Sequence, residues 1–204
     1  MVHYNSFLAL GDSYTIGEGV ALHESFPYQT VQLLRKAKLH FHAPEILAQT
    51  GWTSTKLAKH LLHQELNEQY DFVTLLIGVN NQYSGLTQKD FKVDFDFLLH
   101  KAIHLANREA RRVIVLSIPD WGVTPYAEGK NRAAISAEID AFNEICASAA
   151  KKSGTHFIDI TFNTRAEKNN LKTLAEDRLH YSPSTLLKWA EEVAAIMTEE
   201  SGVK

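Results

Sequence analysis

The chain has a single cysteine, Cys146, among its 204 residues. That excludes an internal disulfide and any cysteine-cluster zinc site. It has little excess of either charge: 21 Lys and Arg against 24 Asp and Glu, a net charge of −3 with histidine neutral. A nucleic-acid partner normally needs a basic face, so none is expected. No apolar run approaches the ~20 residues that span a bilayer, so no integral membrane segment is expected. The opening Met1-Val2-His3-Tyr4-Asn5 has no basic n-region, and Phe7 to Leu10 is too short for a signal-peptide core. The expectation is a cytoplasmic protein, or one whose leader has been removed. There is no repeat at a period of ~20–50 residues and no Gly/Ser/Pro-rich linker, which argues for one domain over residues 1–204. Phosphate loops of the GxGxxG and GxxxxGK[ST] types are missing, and so is an HExxH zinc helix. Neither a metal nor another cofactor is expected, and the sequence carries no signal of oligomeric state.

What remains is an ordinary globular composition, 45% hydrophobic and 22% charged. Short apolar runs recur: Phe7 to Leu10, Ile46 to Ala48, Phe72 to Ile77, Val113 to Ile118 and Phe157 to Ile160. The third and fourth are nearly continuous, as in strands buried on both faces of a parallel sheet. Between and after them lie stretches with helical spacing, over 26–39, 54–66, 87–108, 134–152 and 182–198. Thr87 to Asp90 resembles a capping box, and Ser182-Pro183 an N-cap followed by Pro at the first helical position. Five strands alternating with five helices predict an α/β fold. The economical arrangement is flavodoxin-like: a three-layer sandwich with a five-stranded parallel sheet of order 2-1-3-4-5 and helices on both faces. Ligands of such sheets bind at the carboxyl ends of the strands.

The residues after each run fit that rule. Gly11-Asp12-Ser13 follows the first run and puts a hydroxyl at the top of the sheet. Gly51 follows the second and offers a backbone N–H. Gly78-Val79-Asn80-Asn81 follows the third, and an Asn amide is a neutral donor suited to an oxyanion. Asp177 to His180 follows the fifth, with a carboxylate three residues before an imidazole just ahead of a helix. Taken alone, each is equally an ordinary turn or capping pair. Together they supply a nucleophile, a base, an orienting acid and oxyanion donors on one edge.

In order and spacing these four blocks resemble the SGNH hydrolases, the GDSL esterase/lipase family, over nearly the whole chain. The resemblance implies that Ser13 is the nucleophile, His180 the general base and Asp177 its orienting acid. It implies an oxyanion hole made by the Ser13 and Gly51 N–H groups and the Asn80 side chain. One departure is visible. The family's usual Asp after the Asn is Asn81 here, which puts the hydrogen bonding behind that loop in question. The fourth letter of the first block is Tyr14 instead of Leu.

The reaction expected is hydrolysis of a small-molecule carboxylic ester through an acyl-enzyme on Ser13. A free serine hydroxyl is a weak nucleophile and needs a base that takes its proton during attack. Small or short-chain acyl groups, acetylated sugars and lysophospholipid-type esters all remain open, as do a thioesterase or acyltransferase on the same triad. A non-catalytic flavodoxin-like binding module is the alternative from another class. Asp12, Trp52, Asn81, Tyr83 and Trp121 are the candidate substrate contacts. The 119–126 loop, with Trp121 and Tyr126, reads as a substrate wall or lid. His100 with His104, and His60 with His63, are spaced for one helix face but bring no third ligand. Cys146 reads as a small buried apolar group.

Overall fold

The computed structural model describes residues 4–202. Five strands, β1 (Phe7–Gly11), β2 (Glu45–Ala48), β3 (Phe72–Leu76), β4 (Val113–Leu116) and β5 (His156–Ile158), form one sheet of order β2-β1-β3-β4-β5. Every neighbouring pair is parallel. β1, β3 and β4 are buried along their whole length, the reason their sequences are uninterrupted apolar runs. Gly11 pairs with Ala48 on one side and Leu76 on the other. The carboxyl ends of three strands therefore stop level with one another, and the segments that follow them emerge side by side.

The helices are α1 (Ser13–Ile16), α2 (Phe26–Lys36), α3 (Ser54–His63), α4 (Val79–Tyr83), α5 (Gln88–Leu105), α6 (Arg132–Ser153), α7 (Ile160–Ala166) and α8 (Pro183–Glu200). α2 packs on α8, while α3, α5 and α6 pack in series. The sheet lies between these two groups, with Leu8, Leu10, Phe72, Leu75 and Ile114 fully buried in the core.

Three helices, α1, α4 and α7, were not among the five that periodicity predicts. They are four to seven residues long, too short for an apolar stripe to repeat. Three helix ends fall short of the predicted ones. α3 stops at His63, because Gln64 is extended at φ −81° and ψ 134°. α2 stops at Lys36 because Lys38 adopts φ 67° and Leu39 N–H turns back to Leu34 O at 3.0 Å. α5 stops at Leu105, where Asn107 and Arg108 take φ 55° and 63° and Arg108 N–H reaches Ile103 O at 2.8 Å. The ends of α2 and α5 are left-handed terminations usually made by glycine, and here no glycine advertises them. Thr87 does cap α5, accepting from Asp90 N–H at 3.1 Å. Ser182 precedes α8, but its hydroxyl bonds Ser184 and not the helix backbone. Among the described residues no helix is long and apolar enough to cross a membrane.

Candidate active site

β1 passes into α1 through Gly11, where a side chain has no room. A Cβ there would lie 2.0 Å from Thr15 Oγ1 and 2.5 Å from Leu76 O. Asp12 caps the helix, its Oδ1 accepting from Tyr14 N–H at 3.1 Å. Ser13 is then the first helical residue, and its backbone N–H has no intrahelical acceptor. The Asp12 carboxyl is 1% exposed. Its Oδ2 accepts no hydrogen bond; the Gly78 N–H faces the carboxyl without reaching bonding geometry. Burial pushes this acid up to about 7, against the backbone N–H groups of Tyr14 and Gly78, which favour the anion. Because the folded value lies above the unfolded one, this group favours the folded state progressively less as pH rises from about 4 to 7.

At the far end of the chain, His180 reaches the same place. Its Nε2 lies 3.0 Å from Ser13 Oγ, and its Nδ1 lies 2.5 Å from Asp177 Oδ2. The other carboxylate oxygen, Oδ1, accepts from the backbone N–H groups of Leu179 and His180, both at 2.9 Å. Arg178 makes this tight turn possible by adopting φ 60°. Burial works against the Asp177 anion, but the hydrogen bonds from the His180 ring and the two N–H groups outweigh it. The carboxyl is held below its usual range, so its favourable contribution is complete above that range and is lost only as pH falls through it. The Tyr14 ring meets the imidazole edge-on, with centroids 5.5 Å apart.

Gly51 sits in the turn after β2 with φ 77°, a conformation that suits glycine. Asn80 is the second residue of α4, entered through Gly78 at φ 134°. A Cβ at Gly78 would come within 2.5 Å of Ile118 and 2.8 Å of Phe91. One N–H of the Asn80 amide donates to Trp52 O at 3.0 Å, which orients the group and leaves the second N–H available.

Ser13, Gly51, Asn80 and His180 line one cavity of about 170 Å³. Its walls are Tyr14, Leu179, Tyr83, Trp121 and Tyr126. Tyr83 packs edge-on to Trp121 with centroids 5.3 Å apart, and its hydroxyl lies 3.4 Å from that of Tyr126. A groove of about 550 Å³ between α5 and α6 is larger. Ser148, Ser153 and His100 line it, but the His100 Nδ1 bonds Asp96 O at 2.6 Å and neither serine, and its Lys92 and Asp96 are paired with each other at 2.6 Å.

Three predicted substrate contacts lie outside the cavity lining. Asp12 is turned down to cap α1. Trp52 is 6% exposed and stacks on His60, with centroids 4.3 Å apart. Asn81 is 1% exposed and bonds Ser54. Asn80 and Asn81 are consecutive on a helix and point ~100° apart, so only one of them can face the cleft. Tyr83 and Trp121 do line it. Of the cavity residues, Tyr14, Thr50, Val79 and Leu179 went unrecognised in the sequence, where adjacency to Ser13, Gly51, Asn80 and His180 was their only signal. Cys146 is buried within α6, and burial pushes its thiol up. Among the described residues no group of three or more His, Cys, Asp or Glu could hold a metal ion.

The Trp121 wall is braced from behind. Its indole N–H donates to Gln82 Oε1 at 2.6 Å, and Gln82 donates in turn to Glu138 at 2.7 Å. The preceding residue, Asp120, is 0% exposed and is bonded by Arg165 at 2.8 Å, Ser136 at 2.6 Å and Gly122 N–H at 2.8 Å. Arg165→Ala leaves that carboxylate buried without its cation. The expected loss is about 3 kcal/mol of stability, read from chemical denaturation.

The profile of the GDSL-like lipase/acylhydrolase family matches residues 9–185, most of the chain. The chain belongs to that family. This GDSL protein is a carboxylic-ester hydrolase. No curated protein sequence matches it. Its fold is similar to the crystal structure of TesA, with 17% identity over 95% of this chain and 98% of that one and a TM-score of 0.73. It is also similar to Axe2, an acetylxylan esterase from Geobacillus stearothermophilus, with 16% identity over 100% and 97% of the two chains and a TM-score of 0.72. The psychrotrophic esterase EstA from Pseudoalteromonas sp., in a structure inhibited by monoethylphosphonate, shares 14% identity over 98% and 100% and a TM-score of 0.72.

Proposed function

We propose that residues 1–204 act as a single serine-esterase domain that hydrolyses small-molecule carboxylic esters through an acyl-enzyme on Ser13. The observation that carries this reading is the 3.0 Å approach of His180 Nε2 to Ser13 Oγ, with Asp177 behind the imidazole. In the first half-reaction His180 takes the Ser13 proton as Oγ attacks the carbonyl. The negative charge on the carbonyl oxygen is met by the Ser13 and Gly51 N–H groups and the free N–H of Asn80. Collapse expels the alcohol with the proton from His180. Water, deprotonated by the same imidazole, then releases the acid and restores Ser13.

The cavity favours a short acyl group. At about 170 Å³ it is smaller than the ~300–1,000 Å³ typical of small-molecule pockets. The test is a panel of p-nitrophenyl esters from acetate upward, with a thioester and a peracetylated sugar included. The best substrates are expected between acetate and butyrate. A preference for long chains, or no turnover of any ester, would refute the reading. Added alcohol in the same assay separates transfer from hydrolysis by its ester product. A phosphonate inhibits EstA, and the same electrophile suits this site, so a fluorophosphonate is expected to label Ser13 alone.

The rate is expected to fall in acid, because an imidazolium cannot accept the Ser13 proton. Asp177 does not set this limb, since its carboxyl is held below the usual carboxylate range. Asp12, pushed up to about 7 by burial, is a second group of the site that changes charge with pH. The control is therefore Asp12→Asn, which keeps an oxygen to accept from Tyr14 N–H. The acid limb in kcat/KM survives in that variant; a profile flat to pH 4 would argue against a histidine base.

A further inference from the structure

The two residues of the Asn80-Asn81 pair hold the same short segment from different sides. Asn80 grips Trp52 O. Asn81 grips Ser54 twice: its Oδ1 accepts from Ser54 N–H at 2.9 Å, and its Nδ2 donates to Ser54 Oγ at 2.7 Å. Ser54 opens α3, is 0% exposed, and lies three residues after Gly51. Its hydroxyl passes the pattern on, donating to Asp94 Oδ2 on α5 at 2.8 Å. Thr55 Oγ1 donates to the same oxygen at 2.5 Å.

This chain of bonds has a direction. Ser54 Oγ owns one proton. Asn81 presents an N–H to that oxygen, because its amide oxygen is already taken by Ser54 N–H. The hydroxyl proton must therefore point away from α4, and Asp94 is the acceptor placed to receive it. A carboxylate at 94 and an amide at 81 are matched halves of one arrangement; two carboxylates would compete for one proton across a buried hydroxyl.

We propose that Asn81 and Asp94, acting through Ser54, are positioning residues that set the Gly51 turn against Asn80, so that the two oxyanion donors aim at one point. The proposal rests on the oxyanion roles assigned above. Neither residue touches the substrate. What matters is the polarity of the relay: a donor on one side of Ser54 Oγ and an acceptor on the other. Misplacing a reacting group by about 1 Å costs on the order of 10²-fold in rate, so a small shift of the turn is enough to be read.

The experiment is a double-mutant cycle on the full chain, with kcat, KM and Tm measured for each protein on the best p-nitrophenyl ester. Asn81→Asp sets two carboxylates on one hydroxyl and is expected to lower kcat about 30-fold with KM changed less than about threefold, since transition-state contacts are lost and not ground-state ones. Asp94→Asn alone keeps an oxygen for the hydroxyls and is expected to lose only about threefold. The double variant Asn81→Asp/Asp94→Asn reverses the relay, with the new amide donating to Ser54 and Ser54 donating to the new carboxylate. Its kcat is expected to return to within about threefold of the parent. In a Ser54→Ala background the double change is expected to recover nothing. Were the role merely structural, kcat would follow Tm and not the pairing. An Asn81→Asp protein with parental kcat overturns the proposal, and so does a double variant no faster than Asn81→Asp. If Asn81→Asp fails to fold, the double variant must fold and turn over ester; a failure there also overturns it. A parent chain that hydrolyses no ester overturns the esterase reading itself and the positioning role with it.

Discussion

Ser13→Ala is expected to lower kcat by ~10⁴-fold or more while leaving the protein folded, because it removes the atom proposed to carry the acyl group. His180→Ala is expected to match it. The two residues share one proton across 3.0 Å, and losing either ends nucleophilic attack. Asp177→Ala should be ~10²-fold milder, since in the proposed mechanism that residue orients and stabilises the imidazole without reacting. The cost to the fold should be small. Ser13 contributes a single hydrogen bond to His180, worth about 1 kcal/mol net, and the change leaves no large void. Single-turnover kinetics with a p-nitrophenyl ester, beside a thermal melt, measure both quantities. A Ser13→Ala protein that still released a burst of nitrophenol would place the nucleophile elsewhere.

Asn80→Ala is expected to lose ~10²–10³ in kcat, about 3–4 kcal/mol of transition-state stabilisation, with little change in KM. The amide holds Trp52 O with one N–H and faces the cavity with the rest of the group. Negative charge on the substrate oxygen develops only after Oγ attacks. A donor aimed at it therefore stabilises the transition state far more than the bound ester. Asn80→Asp is the sharper variant, because a carboxylate would repel both the oxyanion and the Trp52 carbonyl. It is expected to be slower than the alanine variant. Retention of most of the parental kcat in Asn80→Ala would remove Asn80 from the site.

The parts of this site that were legible in sequence are those the backbone dictates. Buried parallel strands need apolar side chains on both faces, so β1, β3 and β4 announce themselves as unbroken runs. Side chains at the ends of such runs must emerge at one edge, and Ser13, Gly51, Asn80 and His180 do line one cavity there. Segments governed by one or two turns were not legible. α1 and α4 are short, and their Ser and Asn residues read as turns. The left-handed ends at Lys38, Asn107 and Arg108 were hidden because no glycine occupies them.

Side-chain direction was the other gap. Trp52 neighbours Gly51 in sequence, yet its indole stacks on His60, nearly two turns into α3. Asn81 sits beside Asn80, yet α4 turns it toward Ser54. Even the departure from the Asp of the GDSL pattern made sense only once Asp94, forty residues past Ser54, was found against the Ser54 hydroxyl. By itself the sequence determined the sheet, the edge and the chemical kinds of group available there. Those follow from periodicity and residue type, which are local. Only the tertiary structure decided which of two adjacent residues faces the cleft and which partner satisfies the other. That choice depends on the rotation of each helix and on atoms brought together from distant parts of the chain.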